Sequence, residues 1–394
     1  MDAKKTLDTL LDTMVDKEGS DLHLKNGVSA KYRVHGEIES INDEPMADHF
    51  LEDIIKIILT RDQQVQLEKE RQFDGHYVNS SDIRFRLNVF YHLKGYAFVF
   101  RVIATDIIPL EKLGLPDAVQ KCVEMRRGLV LVTGTTGSGK STTLAGIIDA
   151  INRDRKHHII TIEDPVEFVH SEKLCILEQR NIGEHANSFH DALRAAMRED
   201  PDIILVGEMR DMSTVETALH AANTGHLVFS TLHTLDAKET INRIVGIFPS
   251  NEQNRIRMTL GSVLQATIAQ RLVKKIDGGR KAAVEILFNT ERIRQLILDG
   301  RDDEITDAIE EGSIHGMQTF NQALFQMYRN KEASLENLLT ESGTPNNLLL
   351  MIRNSEEDAA AKQGFDLKMD HEEEVGEDKK FKKKPEPIKL KLKR

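Results

Sequence analysis

The segment Gly134–Ser141 has the residue types and spacing of a phosphate-binding loop, GxxxxGK[ST]. It follows the apolar run LVLVT (129–133) and precedes a helical pattern, which is the context that the motif requires. Glycines let backbone N–H groups turn inward around phosphates, Lys140 would reach the β- and γ-phosphates of ATP, and the Ser141 hydroxyl would bind Mg²⁺. The predicted nucleotide-binding residues are Gly134, Thr135, Thr136, Gly137, Ser138, Gly139, Lys140, Ser141 and Thr142.

Polar residues follow three further apolar runs of the strand type. Glu163-Asp164-Pro165 follows residues 158–162, Gly207-Glu208 follows 203–206, and Leu232-His233 follows 227–231. Runs without alternation suit strands that are buried on both faces of a parallel sheet. Because ligands bind at the carboxyl ends of such strands, we expect these groups to meet the phosphate-binding loop at one site.

Glu208 is the predicted general base, which would orient and deprotonate the attacking water. The aspartate that usually precedes this residue is replaced by Gly207. Magnesium would therefore depend on Ser141, water and a carboxylate from the second strand end, either Glu163 or Glu167. A structural role for Glu163 remains the alternative.

Two histidines and three arginines complete the predicted site. His226 and His233 bracket the fourth apolar run, where they could couple the nucleotide state to the sheet edge; satisfied structural histidines are the alternative. Arg101 lies in an otherwise apolar strand, where an unpaired guanidinium would be costly. Surface salt bridges are the default for Arg84 and Arg86, but the sharper hypothesis is that all three contact ATP phosphates across a domain or subunit boundary.

The elements that position these residues predict an α/β protein with several domains. A helix is expected at 51–59 and strands at 83–90 and 96–103. The first of these strands is expected to have Ile83, Phe85, Leu87 and Val89 on one face. The predicted organisation is an N-terminal α/β domain (1–103), a linker (104–120), an ATPase core (121–290), a helical region (291–355) and a charged, disordered tail (356–394).

Local signals predict where two helices of the core begin. Ser188 and Ser213 precede helical patterns, with Asp191 and Glu216 three positions further on, as in a capping box. Gly225 stands where a glycine commonly ends a helix.

The composition excludes several classes of protein. The formal charge of −11 argues against a nucleic-acid-binding surface, no apolar run is long enough to cross a membrane, and the N-terminus lacks a secretory signal. The two cysteines, Cys122 and Cys175, exclude a disulfide scaffold and a four-cysteine zinc site. An acidic stretch (370–378) precedes a basic one (379–394), which we interpret as a solubilising tail or an electrostatic contact for an acidic partner or a membrane surface.

Five segments resemble the type II/IV secretion ATPase superfamily. MREDPDIILVGEMRD (197–211) is similar to its signature, including the glycine before Glu208. TIEDPVEFVH (161–170) resembles its Asp box, TGHLVFSTLHT (224–234) its His box, and SDLHL (20–24) with RFRLNVF (84–90) its N-terminal domain. The resemblance implies a RecA-like ATPase domain after a smaller PAS-like domain. It also implies a hexameric ring in which the N-terminal domain of one subunit closes on the ATP of its neighbour.

Within the superfamily, the chain resembles the pilus-retraction branch of PilT and PilU. The long N-terminal domain and the zinc motif of assembly ATPases are missing, and MQTFNQALFQMY (317–328) with the long C-terminus is more similar to PilU. The segment ERIRQLILDG (291–300) departs from the corresponding PilT motif, which shares only Ile293, Arg294, Leu296 and Ile297 with it.

The resulting functional hypothesis is a cytoplasmic motor at the inner face of the membrane. It would power pilus retraction through a membrane-embedded platform protein, without inserting into the membrane or binding nucleic acid. The alternatives are an accessory subunit that acts only with a PilT-type ring, or a related secretion ATPase. A nucleic-acid motor of the RecA type is disfavoured by the acidic charge.

Overall fold

The computed structural model describes residues 3–34, 37–41, 45–103 and 107–369. In the N-terminal part of these described residues, one helix precedes three strands, and two helices precede three more strands. The elements are α1 (Ala3–Asp16), β1 (Gly19–Lys25), β2 (Val28–Val34), β3 (Glu37–Ser40), α2 (Asp48–Ile58), α3 (Arg61–Glu70), β4 (Gln72–Val78), β5 (Arg84–His92) and β6 (Gly95–Val102).

Within the described part of this N-terminal region, six strands form an antiparallel sheet in the order β3-β2-β1-β6-β5-β4. One face is apolar and packs against α1 and α2, and the predicted inward residues Phe85, Leu87 and Val89 are buried there. The alternation of β5 therefore predicted its buried face correctly. The opposite face of the sheet carries the arginines and their acidic neighbours.

A second sheet begins after residue 127. Helices lie between most of its consecutive strands, and their apolar faces cover both sides of the sheet. The elements are α4 (Lys121–Glu124), β7 (Gly128–Thr133), α5 (Lys140–Asp154), β8 (His158–Glu163), β9 (Ile176–Asn181), α6 (Phe189–Ala196), β10 (Ile203–Val206), α7 (Met212–Asn223), β11 (Leu227–Leu232), α8 (Ala237–Gly246), α9 (Gln253–Val263), β12 (Leu264–Lys274) and β13 (Arg280–Phe288).

The strand order of this sheet, in the residues that the structure describes, is β13-β12-β7-β11-β10-β8-β9. All neighbouring pairs are parallel except β12 with β13, which is antiparallel. The four strands predicted from apolar runs are confirmed, and β7, β11, β10 and β8 are adjacent. Their carboxyl ends therefore lie side by side along one edge, as the site requires.

The predicted helix starts had different outcomes. Ser188 caps α6 by accepting a hydrogen bond from the Asp191 backbone N–H, as predicted. The start at Ser213 is wrong: α7 begins at Met212, and the Asp211 carboxylate accepts from the Thr214 N–H. Asp is as effective a cap as Ser, and here it stands first in the chain. Gly225, with φ 114°, follows α7 as predicted.

The predicted linker is partly structured. Residues 110–112 and 117–120 form short 3₁₀ helices, and Leu110 and Val119 are buried with the β7–α5 side of the core. These residues therefore pack as part of the ATPase domain.

The C-terminal region is helical, with elements α10 (Glu291–Asp299), α11 (Ile305–Glu311), α12 (Phe320–Arg329), α13 (Leu335–Glu341) and α14 (Pro345–Met369). The first part of the predicted tail, from 356, belongs to α14, which continues to Met369 through a segment rich in Glu, Ala, Lys and Gln, residues that favour helix. The rest of the predicted tail, 370–394, lies outside the described residues. Across the described ranges, no helix combines the length and apolar character needed to cross a membrane.

Candidate active site

The phosphate-binding loop lies between β7 and α5, as its motif predicts. Gly134, Gly137 and Gly139 all have positive φ, which side-chain-bearing residues rarely adopt. At Gly134 the restriction is also steric, because a Cβ there would lie 2.4 Å from the Gln270 carbonyl oxygen. The loop is thus fixed against β12, and α5 presents its N-terminal N–H groups without a side-chain cap.

Lys140, the first residue of α5, is only 8% exposed. Its ammonium donates to the carbonyl oxygens of Gly134 (2.8 Å) and Thr135 (3.0 Å), which holds it against the loop. Burial lowers the pKa of Lys140, while the carboxylates of Glu208 and Glu167 act in the opposite direction. A buried ammonium beside a glycine-rich loop is suited to phosphate binding.

A cleft of about 490 Å³ opens at the carboxyl edge of the parallel strands. Its walls bring together side chains from all four predicted strand ends. Among the residues that line it are Thr136, Gly137, Gly139, Lys140, Ser141, Thr142, Glu163, Asp164, Glu167, Glu208, Arg210, His233, Leu272 and Arg280.

Glu208 follows β10 and has an ion-paired carboxylate. Its Oε2 lies 2.7 Å from an Arg210 guanidinium nitrogen and 3.5 Å from His233 Nε2. Burial favours the neutral acid, but the charges of Arg210, His233 and Lys140 together hold the pKa of Glu208 below its usual value. Glu208 is therefore ionised at neutral pH and can accept a hydrogen bond from a water molecule.

Glu163, at the end of β8, lies in a different environment. Its Oε1 accepts hydrogen bonds from the Thr161 hydroxyl (2.6 Å) and the Gln179 amide (3.3 Å). Burial raises the pKa of Glu163, although these hydrogen bonds lower it. The carboxyl groups of Glu163 and Glu208 therefore have pKa values shifted in opposite directions, an arrangement typical of sites that divide acid–base roles.

The packing around Gly207 explains why no aspartate precedes Glu208. A Cβ at this position would approach the Glu163 Cα and the Ile162 carbonyl oxygen to 3.2 Å each. The Gly207 backbone also donates to Ile162 O (2.7 Å) and accepts from the Thr231 hydroxyl (2.6 Å). Close contact between the ends of β10 and β8 leaves little room for a side chain here.

The structure does not bring His226 into the cleft. The six-residue strand β11 separates it from His233 by roughly 20 Å. The two histidines therefore lie at opposite ends of this strand, and the cleft is at the carboxyl end. His226 Nδ1 lies 2.9 Å from the Ala221 carbonyl oxygen, which fits the structural alternative. Only His233 of this pair lies at the cleft.

Arg84, Arg86 and Arg101 lie on β5 and β6, outside the cleft of their own chain. Arg86 and Arg101 are direct cross-strand partners. The expectation of a costly, apolar setting for Arg101 is wrong, because its side chain is 63% exposed and pairs with Asp21 at 2.7 Å. Sequence periodicity missed this because the polar residues of β6 face away from the core.

Arg210 and Arg280 are cleft residues that sequence reasoning missed. Arg210 stands two positions after Glu208, and that spacing in an extended segment places both side chains on one side. Arg280 comes from β13, far along the chain from every motif. No local signal could have placed it at the cleft.

Similarity to known proteins agrees with this geometry. The Type II/IV secretion system protein family matches residues 2–350. The type IV pilus retraction ATPase PilT of Pseudomonas aeruginosa is 44% identical over 84% of this chain and 96% of its own length. The pilus ATPase PilU of the same organism is 36% identical over 93% of this chain and 98% of its own. Identity is thus higher to PilT, whereas the PilU alignment covers more of the chain.

A crystal structure of the pilus retraction motor PilT with bound ADP superimposes with a TM-score of 0.82, at 42% identity, over 86% of this chain and 98% of that one. The Legionella pneumophila ATPase DotB gives a TM-score of 0.70 at 29% identity, over 85% and 94%. The predicted fold class is confirmed, and the chain is an ATPase that uses a nucleotide. Its sequence, fold and cleft together establish that it belongs to the type II/IV secretion system protein family.

Proposed function

We propose that this chain is a hexameric motor that hydrolyses ATP at the cleft and powers retraction of a type IV pilus. The observation that carries the proposal is the meeting of four strand ends, which places Lys140, Glu163, Glu208 and His233 around one cleft. The likeness to PilT over nearly the whole of that relative supports the assignment of the task.

Several cleft residues have a chemical role in this proposal. Lys140 and the α5 N-terminus bind the phosphates of ATP. Glu208 orients the attacking water. Because its pKa is lowered, its carboxylate is a weak base, and it is better suited to positioning the water than to removing a proton from it. Glu163, whose pKa is raised, is the better proton acceptor. His233 and Arg210 hold the Glu208 carboxylate in place.

The donor set also fits Mg²⁺, which prefers oxygen ligands. The Ser141 hydroxyl and the carboxylates of Glu163 and Glu167 line the same cleft. When bound, Mg²⁺ would neutralise phosphate charge. With no aspartate at position 207, Ser141 is the principal protein ligand in this proposal.

The three arginines act in trans in the proposed ring. On one chain they form a basic strip on the exposed face of β5 and β6, with Asp21 and Asp74 as partners. Adjacent like charges on a sheet repel one another, and the aspartates relieve this only in part. A phosphate group from a neighbouring subunit would complete the neutralisation, and closure of the two domains on ATP would follow.

Mixing two inactive variants tests this arrangement. One carries Lys140→Ala; the other carries Arg84→Ala, Arg86→Ala and Arg101→Ala together. Each alone is expected to lack ATPase activity, but mixed rings should regain it, because an intact loop of one subunit meets intact arginines of its neighbour. The measurement is phosphate release against mixing ratio. Persistent inactivity in rings shown to be mixed would place the arginines in the same subunit or in a structural role.

The biological task has a direct test. Deleting the gene from a piliated host should give surplus surface pili and loss of twitching motility, since assembly would continue without retraction. Pili are counted by electron microscopy and motility is measured as colony spreading, with the wild-type gene restored as control. Fewer pili after deletion would indicate an assembly function and contradict the proposal.

A second candidate function is an accessory ATPase that depends on a PilT-type ring. The observation that favours it is the PilU alignment, which covers 93% of this chain. In α10, the residues shared with the PilT motif are mostly core: Ile293, Leu296 and Ile297 are buried. Apart from Arg294, the residues on the outer face of α10 are therefore those that differ. ATPase assays of the chain alone and with a PilT-type partner distinguish the two functions.

The proposed location is the cytoplasm, at the inner face of the membrane. To move a pilus, the motor must contact a membrane-embedded platform protein. The ATP that it hydrolyses is available in the cytoplasm. The partner would be moved as the ring steps through closure and release.

A further inference from the structure

Glu285 is a buried carboxyl group outside every motif of the proposed mechanism. It lies in β13, the antiparallel edge strand, opposite Ala269 of β12, and its residue is 5% exposed. Burial, with a smaller contribution from Asp236, raises the pKa of Glu285 to about 7, although Arg271 and two backbone N–H groups act in the opposite direction. A buried carboxyl group is costly unless it is hydrogen-bonded, so the donors that face Glu285 matter.

The two backbone donors begin two different helices. Ala237, the first residue of α8, donates its N–H to Glu285 Oε1 at 2.9 Å. The backbone N–H of Phe320, the first residue of α12, also lies close enough to this carboxyl group to lower its pKa. One carboxyl group therefore lies beside the N-termini of both α8 and α12, where a negative charge is favoured.

Arg271, on the neighbouring strand β12, also contacts both the loop before α8 and helix α12. Its guanidinium donates to the Leu235 carbonyl oxygen at 3.3 Å and lies 4.1 Å from the centre of the Phe320 ring. It also donates to the carbonyl oxygen of Glu341, at the end of α13. Glu285 and Arg271 thus make parallel connections from the loop before α8 to the C-terminal helices.

That loop carries His233, which lies at the cleft. The path from His233 to Ala237 is short and stiff: the Thr234 and Thr240 hydroxyls lie 2.7 Å apart, and the Leu235 N–H donates to Glu239. A change in the position of His233 beside Glu208 would therefore move the start of α8 rather than be absorbed by the loop.

We propose that Glu285 and Arg271 are positioning residues that couple His233 at the nucleotide to α12 and α13. The proposal rests on ATP hydrolysis at the cleft, and it adds a route by which the C-terminal helices respond to the nucleotide. In the reverse direction, the same contacts hold His233 in place for hydrolysis.

The absence of tryptophan from the chain allows a clean test. Phe325, a partly buried residue of α12, is replaced by Trp, and fluorescence is recorded as Mg²⁺ with a non-hydrolysable ATP analogue is added. We expect a fluorescence change that Glu285→Gln removes, although the analogue still binds. For hydrolysis by Glu285→Gln, kcat should fall about tenfold while KM stays within about twofold. Arg271→Lys should show the same pattern and serves if Glu285→Gln fails to fold.

Glu332→Gln is the matched control. Glu332 pairs with Lys281 of β13 but has no contact with the His233 loop among the described residues, so its replacement should preserve both the fluorescence change and kcat.

A fluorescence change and a kcat in Glu285→Gln that both equal those of the wild type would overturn the proposal. A reporter that does not respond in a chain that binds the analogue would overturn the coupling alone. Absence of analogue binding would overturn the proposed function as well.

Discussion

Replacing Lys140 with alanine is expected to reduce ATP turnover at least about 100-fold, because the buried ammonium is the principal side-chain cation of the loop. The variant should also bind ATP more weakly, since a phosphate contact made in both the ground state and the transition state is lost. Turnover is measured by phosphate release and affinity with a fluorescent nucleotide. The fold should survive, because in the part of the chain that the structure describes the Lys140 side chain makes its hydrogen bonds only within the loop.

Lys112→Ala is the control for this substitution. Lys112 is an exposed lysine in the segment that packs on α5, and it does not line the cleft. It should retain wild-type turnover. If Lys140→Ala retained more than about a tenth of the wild-type rate, the loop would not be the catalytic phosphate site.

Glu208→Gln should separate binding from hydrolysis. The amide keeps the size of the side chain but loses the charge that orients water, so kcat should fall about 100- to 10000-fold. ATP affinity should be retained or rise, because a negative charge near the phosphates is removed. Single-turnover hydrolysis and equilibrium nucleotide binding, measured on the same preparation, distinguish these two effects.

The matched control is Glu216→Gln, which removes a carboxylate on α7 that pairs with Arg255 at the surface. It should leave both quantities unchanged, since surface ion pairs contribute little to stability. Parental turnover in Glu208→Gln would transfer the catalytic role to another carboxylate. Glu163 would be the first to test, because its pKa is raised.

The sequence predicted those features that depend on local pattern. The apolar runs of β7, β8, β10 and β11 were identifiable because a strand buried on both faces must be apolar along its whole length. Since such strands are parallel, their polar C-terminal residues had to meet. The expectation that Lys140, Glu163, Glu208 and His233 lie together is therefore correct, and it needs only the pattern of the chain.

Errors arose where position within an element mattered. His226 and His233 look equivalent in the sequence, but a strand between two residues carries them to opposite edges. Arg101 looked buried because its neighbours are apolar, yet alternate residues of a strand face opposite sides, and its side faces solvent and Asp21. The helix start at Ser213 failed because Asp211 caps first.

By itself, the sequence determined the phosphate-binding loop, the parallel core and the four strand ends, since each follows from local composition and the geometry of parallel strands. Only the tertiary structure decided which residues from distant segments join them. Arg280 reaches the cleft from β13, and Glu285 lies beside the starts of α8 and α12, although 48 positions of the chain separate it from Ala237. Such contacts depend on how strands pair and helices pack, and pairing between distant segments leaves no periodic signal in the chain.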